Sequence, residues 1–186
     1  IKRLLKHPVM LELGWMRAAI GLLQSIVVQT ILYGTISFIG MTKTHIKDLE
    51  KLQKDAIYDV LGLSKFANYS AVLAETGILR LEDSVKLRKM SFINKLMEAR
   101  EFCKCRDILI AEEEQGGQGL LAEVRQYCEE YDLPDVTKNN QQIRKNDLKD
   151  QVKWKSTKAT WWQVMKSNKA IARWHPEKNS NRSYFS

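Results

Sequence analysis

The sequence predicts an all-α protein. Apolar residues recur every three or four positions in one segment after another, the spacing of a helix face set against a core. Nowhere does a convincing run alternate apolar and polar residues at strand period. Several of the helical segments also stop at a glycine: Gly34, Gly62 and Gly77.

The first element is the least ordinary. No charged residue stands between Arg17 and Lys43, and Ala18–Gly40 is long enough to span a bilayer. Gln24, Ser25, Gln29 and Thr30 would sit near the middle of such a span, and Gly34 would cut it short. The spacing of Ile20, Leu23, Val27 and Ile31 instead predicts a helix over Leu11–Tyr33 buried on most sides, with no membrane as partner.

An amphipathic helix follows, with Ile46, Leu49, Leu52, Ala56, Ile57, Val60 and Leu61 inward and Lys47, Glu50, Lys51 and Lys54 outward. Thr44 is its expected N-cap and Gly62 its stop. A short helix ends at Gly77, and a longer one over 81–100 offers Leu81, Val85, Ile93, Leu96 and Met97 for burial. Glu112–Gly119 reads as a loop because of Gly116, Gly117 and Gly119, with Glu112, Glu113 and Glu114 as a solvated acidic stretch. Helical spacing restarts through Leu121, Val124, Cys128 and Tyr131 and ends before Pro134. The expected division is a helical region over 1–111, a loop over 112–119, a connecting helix over 120–137 and a basic, partly helical C-terminal extension over 138–186.

Charge is unevenly distributed. Residues 1–137 hold 18 Lys and Arg against 19 Asp and Glu, whereas residues 138–186 hold 12 against 3. A net charge of +8 therefore belongs to the C-terminal segment, and a localised basic block speaks of partners rather than fold. That segment also carries four of the five tryptophans, Trp154, Trp161, Trp162 and Trp174. Cations meet phosphates and aromatic faces stack on bases, so nucleic acid is the partner such a mixture suits. The plainer alternative is a solvated basic helix whose tryptophans pack back on the bundle.

Other chemistry is weakly signalled. Cys103, Cys105, Cys128 and His175 lack the two compact ligand pairs of structural zinc. An odd cysteine count in helical, charged surroundings predicts free thiols in a reducing, intracellular setting, cytoplasmic and nuclear. His7 and His45 are isolated, and Gly116-Gly117-Gln118 is too short to carry an activity.

Taken together, "LLQSIVVQTILYG", "HIKDLEKLQKDAIYDVLGL" and "LAETGILRLEDSVKLRKMSFINKL" resemble the region after the polymerase palm in non-LTR retrotransposon reverse transcriptases. The family's apolar helix ending in Tyr-Gly is matched by Tyr33-Gly34, its Leu-Glu-x-x-Gln helix by Leu49, Glu50 and Gln53, and its Glu-x-Gly element by Glu75, Thr76 and Gly77. The tail "WWQVMKSNKAIARWHPEKNSNRSYF" is similar to a pattern that follows in some invertebrate elements. The resemblance implies a helical thumb, non-catalytic in itself, that grips RNA template and RNA–DNA hybrid. It also implies a palm domain in the same polyprotein upstream of Ile1, an RNA-directed DNA polymerase as the parent, and Mg only in that palm. No Asp-Asp pair occurs in the chain, so paired-aspartate nucleotidyl transfer is not expected of it alone. The residues expected at nucleic acid are Lys86, Arg88, Lys89 and Lys95 on the helix after Gly77, and Lys153, Trp154, Lys155, Lys158, Trp161, Trp162, Lys166, Lys169 and Arg173 in the basic segment. A helical scaffold that binds protein is the competing expectation.

Overall fold

The computed structural model describes residues 13–38, 40–98, 103–114, 119–137 and 143–167. Among these, all regular structure is helical. Lys169 and Arg173 lie outside the described residues.

The apolar segment forms α1 (Leu13–Leu22), a π-helical turn (Leu23–Val28) and α2 (Gln29–Leu32) in direct succession. Its buried positions are Ala19, Leu23, Val28 and Leu32, spaced four, five and four. A π turn admits one extra residue, so the buried row beyond Leu23 runs one position later than a regular helix would place it. Ile20, Val27 and Ile31 flank that row, partly buried. Burial covers one side rather than most of the circumference: Leu22, Ile26 and Tyr33 are 47%, 50% and 84% exposed. By length and composition Ala18–Ser37 could cross a membrane; in the bundle its inner side packs on residues of 49–61 and on Leu81 and Val85. Ser25 and Thr30 satisfy their hydroxyls on the carbonyls of Gly21 and Ile26, the local bond that lets such residues sit in a helix. Gly34 ends the run in the left-handed region at φ 77°, a conformation costly to any residue with a Cβ.

Helix α3 (Lys43–Leu61) is capped by Thr42, two residues earlier than expected; its Oγ1 accepts from the His45 N–H at 3.3 Å. Gly62 closes α3 at φ 64°, as the sequence predicts. Asn68 caps α4 (Tyr69–Thr76) by accepting from the Ala71 N–H, and Gly77 ends it. Helix α5 (Leu81–Glu98) is the spine of the fold. Leu81 and Val85 join Val28 and Leu32 on one side, while Met90, Ile93, Leu96 and Met97 enter a larger core with Leu121, Val124, Leu148 and Val152. At about 1.5–3 kcal/mol for each fully buried aliphatic side chain, α5 contributes substantially to both. Helix α6 (Cys103–Glu114) continues through the three glutamates expected in a loop. Helix α7 (Leu120–Glu130) buries Leu121, Val124 and Cys128 as its spacing predicts.

The basic segment supplies α8 (Lys145–Ser167), and α8 is part of the bundle. Leu148, Val152, Ser156, Thr160 and Val164, every fourth residue, are buried against α4 and α5. Asn94 fixes the approach to α8, donating to the Ile143 carbonyl at 2.9 Å and accepting from its N–H at 3.2 Å.

Candidate nucleic-acid interface

With one row of α8 buried every fourth residue, a second row of the same period faces water. It reads Trp154, Lys158, Trp162, Lys166, all exposed. The Lys158 Nζ lies 4.8 Å from the centroid of the Trp154 ring, a cation–π contact, and among the described residues no carboxylate pairs with it. Lys149 and Lys153 are exposed beside this row, and neither they nor Lys166 pair with a carboxylate among the described residues. Trp161 is half-buried, on the flank of the row. Helix α8 thus separates its roles by face: small and aliphatic residues inward, alternating indoles and ammonium groups outward.

Lys158 and Trp162 form one lip of an open groove of about 410 Å³ between α8, α5 and the end of α7. Its floor is neutralised. Asp83 accepts from the hydroxyls of Tyr131 and Ser156. Lys86 bridges Glu82 at 2.9 Å and Glu130 at 2.8 Å, with the Tyr127 and Tyr131 rings against its ammonium. Burial would lower the Lys86 pKa, but the hydrogen bonds from Glu130 and Glu82 outweigh it and hold the group protonated. Lys155 donates to the Glu130 carbonyl at 2.9 Å and pairs with Asp132. Arg80 reaches the Ser70 hydroxyl and the Gln163 amide oxygen, tying α8 to α4.

The residues expected at nucleic acid on α5 divide in the same way. Lys89 is fully buried; its Nζ donates to both Glu123 oxygens, at 2.9 and 2.8 Å, and to the Phe38 carbonyl at 2.7 Å. In this packing it joins α5, α7 and the turn after α2, out of reach of a phosphate. Arg88 donates to the Gln29 side chain at 2.9 Å, and Lys95 is exposed. At 100° per residue, Arg88 stands about 140° around α5 from Asp83, which faces α8. Arg88 therefore points to a different side of α5 from the one that meets α8.

Gln53, Thr76 and Gly77, among the residues that carry the sequence resemblance, have structural roles. Gln53, buried on α3, donates to the Leu79 carbonyl at 3.0 Å and accepts from the Tyr69 hydroxyl at 2.9 Å. Burial and then the Glu50 charge push the Tyr69 phenol far above its usual range, so it stays a donor. Thr76 caps back on Val72, and its Oγ1 accepts from the Ile78 N–H across Gly77. These contacts set the turn between α4 and α5.

Sequence reasoning missed Arg80, Asp83, Tyr131 and Ser156 in the groove, whose partners are far away along the chain. The four-residue alternation of Trp154, Lys158, Trp162 and Lys166 was available from spacing alone. Comparison with known proteins adds no relative: no family model, no curated protein and no solved structure matches the chain.

Proposed function

We propose that this chain is a non-catalytic nucleic-acid grip, the thumb and connector of a non-LTR retrotransposon reverse transcriptase, holding template–primer through its phosphates. One observation carries the reading: α8 bears six lysines against two aspartates, and Lys153, Lys158 and Lys166 on its outer face have no carboxylate partners among the described residues, while Lys86, Lys89 and Lys155 have them. Unpaired ammonium groups along one helix face are what release counterions on binding a polyanion. The sequence resemblance supplies the kind of nucleic acid, an RNA–DNA hybrid. The test is the affinity of the chain for such a hybrid as salt is raised. The expected result is a steep log–log decline, and binding that is absent at low salt contradicts it.

A second reading has its own observation. Leu22, Ile26, Tyr33 and Phe38 are all exposed along the first apolar helix and the turn that follows it. An apolar patch of this kind suits a protein surface, either the palm of the same polyprotein or the partner of a helical scaffold. Phase partitioning and light scattering in the absence of nucleic acid report on that face.

A further inference from the structure

The outer row of α8 has a geometry that a duplex does not use. Successive members are about 6 Å apart along the helix axis, so Trp154 and Trp162 stand about 12 Å apart with Lys158 between them. A row of period four also drifts by about 40° per step, so these four residues curl around α8 through about 120°. Paired bases in a duplex keep their faces stacked on one another, and a straight duplex meets a curling row at few points. A single strand can bend along the row, turn its bases out onto the indoles and lay a phosphate on the intervening ammonium.

The exposure supports the same conclusion. Trp154 and Trp162 are 42% and 56% exposed, whereas the aliphatic residues Leu148, Val152 and Val164 of the same helix are buried completely or nearly so. Lys158 lies on the Trp154 ring rather than on an acid, so its charge remains available. Positive charge beside the two rings complements a polyanion with planar side groups and opposes a cationic or purely apolar partner.

We infer that Trp154, Lys158, Trp162 and Lys166 form a track for single-stranded nucleic acid, distinct in chemistry from a grip on hybrid. The inference rests on the proposed function only in that α8 meets phosphates. Stacking predicts tolerance of base identity, so RNA and DNA strands are both accepted.

The full chain is titrated with fluorescein-labelled oligo(rU), oligo(dT) and an RNA–DNA hybrid of equal length, alongside W154A, W162A, W154F and W162F. Helical content and melting are followed by circular dichroism to confirm that each variant is folded. The expected result is a loss of single-strand affinity of about 5- to 100-fold for each alanine variant. Phenylalanine should restore most of it, and the ratio of single-strand to hybrid affinity should fall accordingly. Equal losses on strand and hybrid, or no loss on either strand, overturn the track. Wild-type chain that binds the strands but not the hybrid refutes the thumb reading and leaves the track standing. Chain that binds none of the three at low salt overturns both and assigns the row to a protein partner.

Discussion

Helices α5 and α8 are both lysine-bearing and both packed in the same bundle, yet Lys86 and Lys89 of the one are used oppositely to Lys153, Lys158 and Lys166 of the other. On α5, Lys86 and Lys89 are held by Glu82, Glu130 and Glu123. On α8, Lys153, Lys158 and Lys166 face water without a carboxylate partner among the described residues. A count of basic residues along a helix does not distinguish the two. What distinguishes them is whether a glutamate from another helix reaches them, and that is decided by tertiary packing.

The largest expected effect lies on the α5 side. Lys89→Ala leaves Glu123 charged and largely buried, with Tyr127 as its remaining partner, and should cost about 3–5 kcal/mol of stability in urea denaturation. The double change Lys89→Met with Glu123→Leu removes both charges and should recover most of that loss. If Lys89→Ala alone is neutral, Lys89 is not a core residue and belongs again with the phosphate contacts.

Gln53→Leu comes next. It strips the Leu79 carbonyl and the Tyr69 hydroxyl of their buried partner and should cost about 1–3 kcal/mol by thermal melting. The loss should appear without any change in nucleic-acid affinity measured on the folded fraction, because Gln53 lies between α3 and the turn before α5.

A smaller effect concerns Glu50. Burial raises its pKa, opposed by the Arg80 charge and assisted by Glu82 and Asp83. A carboxyl whose folded pKa is raised contributes stability below its unfolded value, about 4.3, and loses it as pH rises through the folded value. Glu50→Gln should therefore melt higher than wild type at neutral pH, with the advantage shrinking below about pH 4. An advantage that grows on acidification would reverse the sign of the burial argument.

How much of this was legible in the sequence differs between local and distant features. Gly34, Gly62 and Gly77 mark real helix ends because a left-handed turn is a local requirement. The inward positions of α7 follow directly from their spacing. Thr42 rather than Thr44 caps α3, since both threonines offer the same hydroxyl and only the backbone selects between them. The buried row of the first helix shifts at Val28 because a π turn has no signature in apolar spacing. Glu82 stands one turn from Lys86, but the α7 partners of Lys86 and Lys89, Glu130 and Glu123, lie 44 and 34 residues away, beyond any periodicity. On α8 the opposite holds: the Trp–Lys alternation is written in the sequence, and only its orientation toward solvent required the fold.

The most direct measurement is the salt slope of RNA–DNA hybrid binding for two variants, Lys153→Gln/Lys158→Gln/Lys166→Gln on α8 and Arg88→Gln/Lys95→Gln on α5. If α8 holds the phosphates, the α8 variant should flatten the slope by about two to three units, at roughly 0.7–0.9 for each phosphate no longer neutralised, while the α5 variant leaves it near wild type. A slope that flattens with the α5 variant and survives the α8 one would place the grip on the other helix and contradict the account.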